Sequence, residues 1–352
     1  MKTIFETKEG LKLFQNGLSL YEKTERKNTR SASVNGIEVG YLEFGSRDGI
    51  PLIWAHGSGM TSYEMVNVQA GLVEAGYWVL AIDYRGHGKT QVNINQYNTS
   101  LYHVADDIAA LLDYLNISKA IVGGLSKGGR VATAFFDAYP QRVLGLLLED
   151  GGSWSSVRLE DDIRLKLVKP GPFPYPIADM ERLYDPSLRF QSRLEGLKAV
   201  WSVYSPSVKN NLTKAYIALM LSCLRQQKDG SWIHHCDAWR LFYGASERLL
   251  GGPSDDKTLY SRLPLMQQSQ ELMIPLVVFR KLNVPVHIID PVCPDDWLPV
   301  RHLNEELQAL HPDWIEHEVY EYEHSPHEAH LQRPERFIAS AKALLKRVQE
   351  FV

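Results

Sequence analysis

The sequence predicts an α/β fold: a mostly parallel sheet with helices on both faces, interrupted by an inserted helical cap. Three observations predict it. Short apolar runs at 51–55, 77–82, 120–124, 143–148 and 284–289, with a further strand segment at 314–322, alternate with segments of helical spacing. Most of the runs are apolar throughout, as in strands covered on both faces and joined by right-handed crossovers. Between about 155 and 281 this rhythm stops, and helical patches carry Trp201, Tyr204, Trp232, Trp239, Phe242 and Tyr243.

Composition narrows the function. A chain of 352 residues, 44% hydrophobic, suits one large core plus an insertion. The net charge of −4, with no long run of like charges, argues against nucleic acid or an anionic membrane as partner and leaves a small-molecule substrate. The N-terminal MKTIFETKEGLKLF lacks the apolar stretch of a signal peptide, and no run of apolar residues is long enough to span a bilayer. The expectation is a cytoplasmic protein with no membrane span. Cys223, Cys236 and Cys293 are too few and too scattered for a disulfide framework or zinc spacing and are expected to be free thiols.

In chain order, residues 1–32 read as a polar extension with a short helix around Leu11 to Tyr21. From Ser33, apolar and polar residues alternate about an Asn35-Gly36 turn, which predicts an antiparallel hairpin. The run 51–55 leads into His56-Gly57-Ser58-Gly59-Met60, Met65 to Ala75 reads as a helix, and 77–82 leads into Asp83-Tyr84-Arg85-Gly86-His87-Gly88. After Ser100, Val104, Ile108, Leu111, Leu112 and Leu115 line one helix face. Val143 to Leu148 closes on Glu149-Asp150-Gly151-Gly152, and the chain ends in an amphipathic helix, Pro334 to Phe351. The organisation expected is an extension (1–32), a core (33–154 and 282–352) and a helical cap (155–281).

The stretch Gly124-Leu125-Ser126-Lys127-Gly128 concentrates the chemistry. A serine on a sharp strand-to-helix turn needs flanks nearly free of side chains, and Gly124 and Gly128 meet that need. Ser126 is the candidate nucleophile. The candidate oxyanion donors are the backbone NH of Lys127, next after the nucleophile, and of Ser58, after the first apolar run. His324, His327 and His330 are spaced as a triple H-x-x-H-x-x-H, but Pro326 sits inside it and no paired carboxylate or cysteine spacing supports a metal site. Neither metal nor cofactor is expected. Asp83, Arg85 and His87 read as structural loop residues.

Taken together, the His56-Gly57 turn, Asp83-x-Arg85-Gly86-x-Gly88, the Gly124 to Gly128 elbow and a late His327 seven residues before Pro334 resemble the α/β-hydrolase superfamily, in its cap-bearing subgroup. The resemblance covers residues 33–155 and 284–350. It implies a Ser-His-Asp triad with Ser126 as nucleophile and His327 as base, His324 and His330 being the alternatives. It also implies an acid after the seventh strand. Relatives there carry a glycine and an aspartate three residues on, whereas this chain has Pro291 in the glycine's place and one residue more. Alignment on Pro299 selects Asp295, with Asp296 and Asp150 as alternatives, the last because some relatives place the acid after the sixth strand. The implied activity is that of a serine esterase or lactonase on a small apolar or aromatic substrate. Carbon-carbon bond hydrolysis, haloperoxidase-like activity or a receptor with slow turnover are the other readings.

Overall fold

The computed structural model describes residues 4–90, 100–172, 176–185, 187–208, 212–234, 274–324 and 327–351. An eight-stranded sheet organises them. Its strands are β1 (Thr29–Val34), β2 (Ile37–Phe44), β3 (Ile50–Ala55), β4 (Tyr77–Ile82), β5 (Ala120–Leu125), β6 (Val143–Glu149), β9 (Val286–Val292) and β10 (Ile315–Glu321), in spatial order β1-β2-β4-β3-β5-β6-β9-β10. A small separate hairpin pairs β7 (Leu224–Gln226) with β8 (Trp232–His234). β1 and β2 form the expected antiparallel hairpin about Asn35 and Gly36, both at positive φ, and β2 pairs antiparallel with β4. From β4 to β10 every pairing is parallel.

The inner strands β3 to β6 read as nearly unbroken apolar runs because both faces are covered. Leu52, Trp54, Val79, Ala81, Ile121 and Leu147 point into one core, while Ile53, Ala55, Leu80, Ile82, Val122 and Leu148 point into the other. The second core is closed by α3 (Leu101–Tyr114) and α4 (Lys127–Ala138). Residue Ser100 caps α3 by accepting the His103 amide. The first core is closed by α2 (Gln69–Glu74) and the C-terminal helix α12 (Pro334–Phe351), with the bounds predicted for the latter. The helix expected over Met65 to Ala75 is divided instead: a 3₁₀ turn spans Ser62–Asn67 and α2 follows.

Between β6 and β9 lie α5 (Ser156–Arg164), α6 (Ile177–Leu183), α7 (Arg193–Val208), α8 (Lys214–Ser222), the β7–β8 hairpin and α9 (Pro275–Val278). The aromatics of this insertion that the structure describes pack inward. Tyr204 shares a hydrogen bond with Tyr184, Trp232 lies under Arg193, and Trp201 meets Phe5 edge-on. The expected positions Trp239, Phe242 and Tyr243, like Cys236, lie outside the described residues. Cys223 is buried and Cys293 half-buried, both as thiols.

The N-terminal segment is more than an extension. A 21-residue helix, α1 (Lys8–Asn28), replaces the short one predicted, capped by Thr7 through the Gly10 amide. It packs against α8, where Gly17 lies directly on Ile217. Two further short helices complete the chain, α10 (Arg301–Leu310) and α11 (Ala329–Gln332). No described helix is long and apolar enough to cross a membrane.

Candidate active site

Strand β5 ends at Leu125, and Ser126 turns the chain into α4 with φ 53° and ψ −113°. A non-glycine residue there carries on the order of 1–3 kcal/mol of strain, held only because its surroundings fix it. They do so closely. A Cβ on Gly124 or Gly128 would overlap the Ala55 carbonyl, and one on Gly151 would overlap the Ser126 carbonyl. The Ser126 amide donates to the Glu149 carbonyl at 2.8 Å, and Arg130 returns a bond to the Ser126 carbonyl at 3.2 Å. Within a buried stretch from Ala120 to Phe136, Ser126 alone is partly exposed.

The histidine loop follows β10. His327 Nδ1 lies 2.5 Å from Asp150 Oδ2, and their side chains are 13% and 4% exposed. Residue Asp150 directly follows β6 at φ 46°, its amide donating to the Ile289 carbonyl, so β9 holds it in place. Burial, then the nearby carboxylates of Asp290, Glu149 and Glu328, push its carboxyl well above the usual range, with Arg130 opposing.

The loop after β9 behaves differently. Asp295 is exposed, and its backbone lies against Gly171. Asp296 is half-buried, accepts the Leu298 amide at 2.9 Å through Oδ1, and receives the Gly171 amide on its carbonyl. Burial and then Asp150 push its carboxyl up to about 7. Residue Asp290 is engaged by His317 Nε2 at 2.8 Å. The structure therefore brings Asp150 against His327, and not Asp295. The reason is topological: β6 and β9 are neighbours, and the sharp turn after β6 stops beside the elbow while the longer loop after β9 runs outward. The signal lay in Glu149-Asp150-Gly151-Gly152, where two glycines mark a second tight strand end.

The other histidines separate clearly. His324 is exposed, and His330 is fully buried with Nδ1 at 3.0 and 2.9 Å from the two Glu149 oxygens. The three-histidine spacing is thus distributed over two carboxylates and solvent.

Beside the elbow, β3 ends in the turn His56 to Met60, closed by the Met60 amide on the Gly57 carbonyl. Ser58 is half-buried while its neighbours from Leu52 to Gly57 are almost all buried. Since Ala55 pairs with Gly124, the Ser58 turn and the start of α4 emerge together, with the Lys127 amide in the helix's first turn, where donors point outward. The Lys127 side chain is buried, its ammonium 5.1 Å from the Tyr84 ring centre. His56 stacks on Tyr84, and burial lowers it to about 3, so it is neutral. Asp83 clamps the loops by accepting from the Ser62 and Lys89 amides, and Arg85 forms a two-pronged pair with Asp107, as structural roles require.

Sequence reasoning missed one residue of this region altogether. Glu64, fully buried, accepts the Gly57 amide at 2.9 Å and the Trp54 indole at 3.1 Å. An acid eight residues after His56, in a loop otherwise of small and apolar residues, was the available signal.

Residues 50–181 match the family described as alpha/beta hydrolase fold. Among curated proteins, a non-heme chloroperoxidase from Streptomyces lividans is 32% identical over 115 residues, 32% of this chain and 41% of the relative. A bifunctional esterase/perhydrolase from Acinetobacter calcoaceticus is 32% identical over 107 residues, 30% of this chain and 38% of the relative. The chain thus spans about two fifths of the length of these relatives. Two solved structures superpose more completely. E-2-(acetamidomethylene)succinate hydrolase has a TM-score of 0.61 at 19% identity, covering 90% of this chain and 98% of that one. An esterase from Rhodococcus sp. ECU1013 has 0.61 at 18% identity, covering 91% and 99%.

Proposed function

We propose that this chain, which belongs to the α/β-hydrolase superfamily, is a serine hydrolase that cleaves a carboxylic ester or lactone of a small substrate through an acyl-enzyme. The observation that carries the reading is the His327 to Asp150 contact of 2.5 Å on the rim where the strained Ser126 turn emerges. In this reading Ser126 Oγ attacks the carbonyl carbon and its proton passes to His327 Nε2, while Asp150 holds Nδ1–H and fixes the tautomer. A carboxylate short of solvent, as Asp150 is, gains most when the imidazolium forms beside it, so its stabilisation grows toward the transition state. The amides of Ser58 and Lys127 receive the developing oxyanion. His327 then protonates the leaving group and activates the water that releases the acid.

The insertion between β6 and β9 serves as the cap that sets substrate choice, because Ser126, His327, Asp150 and Ser58 all lie outside it. It is seated on the oxyanion turn: Ser222 meets Thr61 at 2.5 Å, and Cys223 lies against the Gly59 carbonyl. Esterase and perhydrolase in the name of one relative support ester chemistry here. The test is a fluorophosphonate probe together with a panel of p-nitrophenyl esters and lactones. Wild-type protein should be labelled and turn over at least one panel member, and Ser126→Ala, still folded, should lose both. Unchanged turnover in that variant would end the assignment.

A further inference from the structure

Behind the proposed triad lies a second set of charged groups that its chemistry does not use. Glu64, Glu149 and His330 are each fully buried. Charged side chains sealed from water are costly unless they are paired, so their retention asks for a role. Each of them reaches a different part of the site. Glu64 binds the amide of Gly57, the residue before Ser58, and the Trp54 indole. The Trp54 ring packs edge-on against His330, with centres 5.8 Å apart. His330 binds Glu149 through both its own amide and Nδ1. The Glu149 carbonyl, in turn, receives the amide of Ser126, and the next residue is Asp150.

We propose that Glu64, Trp54, His330 and Glu149 form a buried strut that positions the oxyanion turn relative to the nucleophile, with Glu64 and His330 as positioning residues that touch no substrate. The proposal rests on the serine-hydrolase reading for its effect on rate, and on geometry alone for its effect on the turn. With its amide turned inward to Glu64, Gly57 has a fixed peptide plane. Its carbonyl is fixed as well, by the Met60 amide and by His56 Nδ1 at 2.7 Å. The next amide, that of Ser58, then has little freedom in where it points. Electrostatics agree with the connection. Burial pushes Glu64 up to about 7, with His330 pulling the other way, and for His330 burial is outweighed by Glu149 and Glu64, which raise it. His330 thus feels two acids from different elements, Glu149 at the end of β6 and Glu64 in the 3₁₀ turn after β3.

The experiment uses the full chain and two readouts, turnover of p-nitrophenyl butyrate and amide hydrogen exchange over residues 56–61. In Glu64→Ala, kcat should fall about 10- to 100-fold, as for a displaced oxyanion donor, with KM changed less than about 2-fold. Glu64→Gln keeps an acceptor for Gly57 and should recover most of that loss. His330→Phe, which contacts neither Gly57 nor Ser58, should speed exchange across 56–61. A folded Glu64→Ala with wild-type kcat and wild-type exchange overturns the strut, as does a Gln variant no better than Ala. If the wild type neither hydrolyses the ester nor takes a fluorophosphonate while exchange still rises in His330→Phe, the hydrolase reading falls and the strut stands.

Discussion

Two histidine–carboxylate pairs form at the end of β6, and their difference shows how one pair of neighbouring acids serves two ends. Glu149 and Asp150 are consecutive, while their partners, His330 and His327, lie three residues apart. Alternation along β6 puts Glu149 on the face of Leu147, in the core that holds Trp54, whereas Asp150 lies just past the strand in a turn at φ 46° and stays on the rim. The inner pair is wholly sealed, and Nδ1 of His330 engages both carboxylate oxygens. The outer pair leaves the His327 side chain partly open and engages a single oxygen. A group that must take and return a proton needs access, whereas a group that holds a loop needs to be satisfied and dry. Exposure, more than residue type, separates the two proposed roles.

Removing the outer pair should have the largest effect. His327→Ala should cost about 10⁴-fold or more in kcat with the fold retained, and Asp150→Asn about 10³- to 10⁴-fold, measured on p-nitrophenyl butyrate beside circular dichroism. Asp295→Asn should stay near wild type and Asp296→Asn fall between. A greater loss at Asp295 than at Asp150 would return the acid to the loop after β9. Removing a partner from the inner pair should act on stability instead. His330→Ala removes the imidazole from buried Glu149 and leaves it only the backbone amide at 330, and urea unfolding should show a loss of about 3 kcal/mol.

A pH titration sharpens the contrast further. Burial raises Glu64 from its usual 4.5 to about 7. A carboxyl raised on folding contributes stability that is complete below its unfolded value and lost as pH rises through the folded one. Between about pH 4 and 8 the wild type should therefore lose on the order of 3 kcal/mol relative to Glu64→Gln, a difference that thermal melts across that range would resolve. The smallest effect belongs at the surface. Lys89 and Glu25 form a half-exposed ion pair beside Tyr63, and Lys89→Ala should change unfolding free energy by less than about 1 kcal/mol and leave kcat untouched.

What was legible in advance was whatever a short stretch encodes. The expected runs became strands with ends within three residues, because covering a strand on both faces leaves a local trace in composition. The elbow was legible because a serine at φ 53° requires glycines beside it, and so was the Asn35-Gly36 turn. Residue Pro334 marked the start of the last helix, since proline suits the first helical turn. Helix α1 exceeds the short helix expected because its polar composition hides a face that is buried mainly by α8.

The sequence by itself determined the strand-and-helix order, the strained serine and the set of acids and histidines from which a site is drawn. Only the tertiary structure decided the pairing. His327 and Asp150 stand 177 residues apart, and His330 and Glu149 stand 181 apart, so no local pattern relates them. Their meeting follows from sheet order, which sets β6 beside β5 and β9, and from the tight glycine turn that halts Asp150 at the rim. Asp295 satisfied the spacing as well as any residue, yet an exposed loop carries it past the histidine. Spacing along a chain limits reach, and packing between strands selects the partner within it.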